Sequence, residues 1–150
     1  MGDLALNEDQ LRRKARMETL ARASLSDLEN YYQDLPGSVS YGFLREPEIG
    51  LVMVRARAGG SGARFNMGEL TVTRCSVQLD QGEVGHSYVK GRSKRHAELA
   101  AFLDAHFETS GNDDVFLERL NRDVAEKRKS QSVKAAATKV DFYTMVRGED

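Results

Sequence analysis

The chain has 150 residues, 40% of them hydrophobic and 30% charged, the size and make-up of one ordinary globular domain spanning residues 1–150. No apolar run approaches the ~20 residues of a membrane span. The opening M-G-D-L-A-L-N-E-D-Q carries acids where a signal peptide needs cations, and the lone Cys75 excludes an internal disulfide, so a reducing cytoplasm is the expected compartment.

The first part of the chain, residues 1–35, reads as helical. Asn7 to Arg22 contains no breaker; Asn7 is a good N-cap, acids lead and bases trail, and Met17, Leu20 and Ala21 supply an apolar side. Ser26 is then expected to cap a shorter helix whose buried stripe is Leu25, Leu28, Tyr32 and Leu35, stopped by Pro36-Gly37.

Residues 38–90 change to a strand pattern. S-V-S-Y-G-F-L-R-E is a first strand, ended by Pro47. Ile49 to Ala58 is a second, with Val52, Val54 and Ala56 on one face and Leu51, Met53, Arg55 and Arg57 on the other. A loop follows over Gly59–Gly68. Glu69–Leu79, rich in β-branched residues, is a third strand, Asp80-Gln81-Gly82 a hairpin turn, and Glu83–Lys90 a fourth. Short connections make the sheet antiparallel.

Residues 93–129 return to helix. Ser93 caps the first, with Leu99, Ala100, Leu103 and Phe107 inward. Asn112 caps the second, with Phe116, Leu117, Leu120 and Val124 inward. Glu126–Lys139 is polar and Ala-rich, a fraying helix or a segment ordered on contact. The final stretch, residues 140–150, is unexpectedly apolar; Val140, Phe142, Tyr143, Met145 and Val146 suit a tail that docks on a partner. The expected fold class is α+β, an antiparallel sheet of about four strands flanked by N-terminal and C-terminal helices.

The formal net charge of −1 conceals a segregation. Residues 55–96 hold eight cations against three acids, a formal +5, so the remainder sums to −6. Cations gathered around glycine turns suit an anion or an acidic partner surface. Gly59-Gly60-Ser61-Gly62 lets backbone amides approach a phosphate, with Gly60 and Gly62 as contacts, or is simply a flexible connection. It lacks the G-K-[ST] of a Walker loop and the G-x-G-x-x-G of a dinucleotide site. Gly91-Arg92-Ser93-Lys94-Arg95-His96 stacks cations at a helix start, where free amides attract anions; Arg92, Lys94 and His96 are its candidate contacts, to a ligand or to acids of another chain. Arg64, in the loop, is a further ligand candidate. Arg74 reads instead as a structural ion-pair member, with Glu69 or Glu83 as partner.

The remaining residue chemistry is sparse. His86 shares a strand face with Val84 and Tyr88, and His106 sits near a helix end, where a cation is favoured. His86 or His96 could serve as a general acid or base, but no metal-ligand spacing exists and no metal is expected. Cys75 reads as a small buried hydrophobe. No G-x-S-x-G is present. Without Trp and with only 7% aromatics, nucleic-acid binding is not expected either.

Three blocks carry a family resemblance: A-G-G-S-G-A-R-F-N-M-G-E-L-T-V-T-R (Ala58–Arg74), G-H-S-Y-V-K-G-R-S-K-R-H-A-E (Gly85–Glu98) and V-D-F-Y-T-M-V-R-G-E (Val140–Glu149). In order and spacing they resemble the PhnG family, which supplies one of the subunits of the bacterial carbon–phosphorus lyase core complex. The family usually has Asp after Gly-Arg, where Ser93 stands here; both residues cap helices. The resemblance implies a cytoplasmic subunit of a multi-subunit transferase, inactive alone, that moves an alkylphosphonate onto the ribose of ATP with release of adenine and retention of the triphosphate. It implies PhnH, PhnI and PhnJ as partners, with the ABC-type subunits PhnK and PhnL. ATP would be a substrate of the complex, with no cofactor held by this chain. The resemblance assigns no catalytic residue. A purely structural subunit is the alternative, with an anion- or nucleic-acid-binding module behind it.

Overall fold

In the computed structural model, residues 5–139 are described. Helices α1 (Glu8–Arg22) and α2 (Leu25–Asp34) come first, then strands β1 (Tyr41–Arg57), β2 (Arg64–Leu79) and β3 (Val84–Lys90), then helices α3 (Lys94–Ser110) and α4 (Asp114–Ala137). The sheet is antiparallel in the order β1-β2-β3, and α3 lies between it and the N-terminal helices, which bears out an α+β arrangement.

Among the described residues three strands form, not four. Tyr41 to Arg57 is continuous because β1 is an edge strand, where a proline forfeits no ladder bond. Pro47 sits in a bulge, Glu46 and Pro47 together standing opposite Cys75 of β2. The expected loop over Gly59–Gly68 is shorter too: Arg64–Gly68 belong to β2, and only a tight turn at Ala58–Ala63 separates the strands.

Helix starts follow local capping chemistry. Asn7 caps α1 in a full capping box with Gln10. Ser24, not Ser26, caps α2, accepting the Asp27 N–H at 3.2 Å, because α1 already stops at Arg22. Asp113, not Asn112, caps α4: one carboxylate oxygen accepts the Phe116 N–H at 3.0 Å and the other accepts the Tyr31 hydroxyl at 3.0 Å. An ionised cap outcompetes a neutral amide at a helix N-terminus, and Asn112 turns instead to Arg16.

The core is built around α3, which is buried on nearly every side: Ala97, Leu99, Ala100, Ala101, Phe102, Leu103, Ala105 and Phe107 all lie inside. Leu20, Leu28, Cys75, Val77, Val89 and Leu120 close over it. Tyr31 stacks on Phe116 at 4.1 Å, tying α2 to α4, and Tyr32 and Tyr41 pack on Phe102. β3 approaches α3 so closely that a Cβ on Gly85 would sit 1.9 Å from the Ala101 carbonyl oxygen. Burial pushes the Cys75 thiol up to about 11, as befits a core thiol. Past Val124, every described residue of α4 is exposed.

Candidate functional site

The pairing pattern sends part of the sheet out of the domain. β3 pairs with β2 only from Val72 to Gln78, while β1 and β2 continue together from Leu51↔Thr71 to Arg57↔Arg64. The result is a two-stranded arm that runs about 20 Å beyond the end of β3 at ~3.3 Å per residue. The register places Val52, Val54, Ala56, Phe65 and Leu70 on one face and Leu51, Met53, Arg55, Arg57, Arg64 and Glu69 on the other; for the β1 residues these are the faces the sequence alternation predicts. Met67 is the extra residue of a bulge opposite the Val54–Arg55 step.

Gly59 and Gly60 adopt φ of +61° and +78° at the tip, conformations that need glycine. Gly62 packs on the Ala58 carbonyl, to which its N–H donates at 2.8 Å. Arg57 and Arg64 are directly opposed, like charges that disfavour the pair in isolation. Arg64 is therefore a strand residue at the arm tip, not a loop residue. Among the described residues, Arg55, Arg57 and Arg64 form no salt bridge.

The second basic cluster lies at the base of this arm. The Gly91 N–H donates to the Thr71 carbonyl and the Thr73 hydroxyl to the Gly91 carbonyl, pinning the turn that leads into α3. Ser93 accepts the His96 N–H at 3.2 Å as N-cap. The four charged or titratable side chains then divide. Arg95 reaches Glu29 and Glu98, both at 3.4 Å, and lies over the Tyr32 ring. His96 is buried, its ring Nε2–H donating to the Leu20 carbonyl at 3.0 Å. Its ring serves the packing of α1 on α3 and does not face solvent. Arg92 and Lys94 are exposed and form no salt bridge among the described residues. Arg64 and Arg92 thus stand at opposite ends of the arm, and one small anion cannot touch both.

The open sheet face carries a polar strip. Arg74 pairs with Glu48 at 2.5 Å across the strands, a structural ion pair but with neither Glu69 nor Glu83; the cross-strand register chooses the partner. Ser76 and His86 share a hydrogen bond of 2.8 Å on the same exposed face. His106 stacks on Phe102 at 6.0 Å, and burial pushes its pKa down, the reverse of a helix-end cation. Among the described residues no three His, Cys, Asp or Glu side chains converge as metal ligands, and no helix is long and apolar enough to cross a membrane.

One polar cluster is not anticipated by any motif in the sequence. Asp104 is fully buried in α3. Its Oδ1 accepts Arg16 Nη2 at 2.7 Å and Nε at 3.0 Å; its Oδ2 accepts Arg13 Nη2 at 2.9 Å and the His86 backbone N–H at 3.1 Å. Glu108 also receives Arg16, whose hydrogen bond holds its carboxyl below the usual range. Arg13, Arg16 and Glu108 of this cluster, but not Asp104 itself, line a cleft of about 460 Å³ at the α1–α3 junction. The readable signal was a lone Asp in the apolar run A-E-L-A-A-F-L-D-A, which demands a buried cation.

Residues 11–148 match the family described as phosphonate metabolism protein PhnG. The chain belongs to the PhnG family. It is similar to the alpha-D-ribose 1-methylphosphonate 5-triphosphate synthase subunit PhnG of Rhizobium meliloti (strain 1021), with 43% identity over 144 residues that cover 92% of this chain and 90% of that protein. Both the arm and its base fall inside the PhnG match, as do the Asp104 cluster and the whole of α3. The apolar stretch Val140, Phe142, Tyr143, Met145 and Val146 also falls within it, though it lies outside the described residues.

Proposed function

We propose that this chain is the PhnG component of a ribose 1-methylphosphonate 5-triphosphate synthase within a carbon–phosphorus lyase core assembly. The observation that carries this reading is the end-to-end similarity to a synthase subunit, 92% of one chain against 90% of the other. The reaction joins a phosphonate oxygen to the ribose anomeric carbon of ATP and expels adenine as that carbon–nitrogen bond breaks. PhnH, PhnI and PhnJ are the expected core partners, with PhnK and PhnL associated. The chain is inactive alone and carries no cofactor of its own.

Within that reading, Arg92 and Lys94 are the candidate contacts for an anionic substrate. They are exposed, free of acids among the described residues, and adjacent to the α3 N-terminus, whose partial positive charge adds to theirs. Gly60, Gly62 and Arg64 belong to the distant tip. The test is Arg92→Ala/Lys94→Ala in the co-expressed, purified complex. We expect assembly to be retained and turnover to fall by about a hundredfold, the loss typical of removing charge stabilisation of a reacting anion. Full turnover in an assembled double variant would assign this chain a purely structural role.

A further inference from the structure

The arm asks for a partner, and its chemistry states which kind. An isolated two-stranded ribbon is at best marginally stable in water. This one also exposes Leu51 (63%), Met53 (62%), Phe65 (48%) and Met67 (64%), with Val52 on the opposite face from Leu51. No element of this chain covers either face beyond Thr71 among the described residues. A contiguous apolar surface of this kind on both sides of a ribbon marks a protein interface. A small anion at the glycine tip would leave those side chains in water.

Charge decides between a second copy and a different chain. Arg55, Arg57 and Arg64 crowd the tip, while Glu69, opposite Met53, is the arm's only acid. Two copies meeting by their arms would bring like charges together. An acidic partner surface would relieve the Arg57–Arg64 opposition as well as neutralise the tip.

We infer that the arm, residues 51–71, is a docking element that enters an apolar cleft of another subunit, with carboxylates of that subunit at the far end holding Arg55, Arg57 and Arg64. The inference rests on the reading of this chain as a subunit of a multi-subunit synthase. It divides the basic middle of the sequence in two: the tip cations bind protein, and Arg92 and Lys94 at the base are left for substrate.

The experiment compares the isolated chain with the co-expressed complex. Backbone hydrogen exchange of residues 51–71 should be fast in the isolated chain and slowed by at least about a hundredfold in the complex. Leu51→Ser/Met53→Ser/Phe65→Ser, which alters only exposed side chains, should fold as the parent does and fail to co-purify. Arg55→Glu/Arg57→Glu/Arg64→Glu should weaken assembly by about tenfold or more at low salt, less at high salt. An arm that exchanges equally fast in the complex overturns the inference while leaving the synthase reading intact. So does a dimer of the isolated chain with a protected arm, or a tip variant that assembles fully but loses turnover. Failure of the unaltered chain to join any complex removes the synthase reading and the inference with it.

Discussion

At the scale of single residues, Asp104 is the position on which most depends. It is 0% exposed, it accepts from two arginines and one backbone amide, and Arg16 opposite it is only 5% exposed. Breaking one side of such a pair leaves a buried charge without compensation, whereas removing both sides leaves only a packing problem. Asp104→Ala is therefore expected to lower unfolding stability by about 3–5 kcal/mol. Arg16→Met/Asp104→Leu should lose less than the sum of its single variants, because Arg13, one-third exposed, can turn to water. Urea unfolding of the four proteins measures this; strict additivity would mean that the two side chains do not act as a pair. The residue scale is also where sequence reading reached least far. A histidine beside two cations looks like an anion contact, but His96 is turned inward by the Leu20 carbonyl, a partner 76 residues away that no local pattern announces.

At the scale of elements, legibility tracked burial. β3 alternates cleanly because one face lies on α3, and its reading survives; α1 and α3 announce themselves by caps. The arm has no core behind it, so Arg64–Gly68 show no alternation of burial and resemble a loop. Pro47 suggested a strand end because its position on the sheet edge is a tertiary fact. The contact of β3 with α3 gives a sharp expectation. The two nearest atoms that a Cβ on Gly85 would meet are backbone, the Ala101 oxygen at 1.9 Å and the Ala105 nitrogen at 2.5 Å, and backbone of a central helix cannot step aside. Gly85→Ala should cost about 3 kcal/mol, the upper end for overpacking. Gly68→Ala, a glycine with nothing within 4 Å, is the control and should stay within about 0.5 kcal/mol of the parent. Equal stability of the two variants would show that β3 does not sit this close to α3.

At the scale of the whole molecule, the net charge of −1 is a cancellation between regions. Residues 55–96 carry +5, and residues 126–139, with five cations against one acid, carry +4; everything else sums to −10. The first stretch runs through the arm and the second is the far end of α4, where every residue is exposed. Only part of the first stretch leaves the body: the arm holds Arg55, Arg57 and Arg64 against Glu69, while Val72, Cys75, Val77, Leu79 and Val89 of the same stretch are core; the second stretch has no buried residue. Local stability should follow that layout. A helix segment of this length is marginal in water without a packed face, while α3 opens only when the whole domain does. In the isolated chain, amides of residues 126–137 should exchange within about tenfold of an unstructured peptide, and those of Leu99–Leu103 should be protected up to the global unfolding free energy. Native-state hydrogen exchange read by NMR resolves both in one experiment. Protection of residues 126–137 equal to that of α3 would mean that the chain itself covers the end of α4. Fast exchange there, beside a slow α3, would show that the far end of α4 draws no stability from the core that α3 anchors.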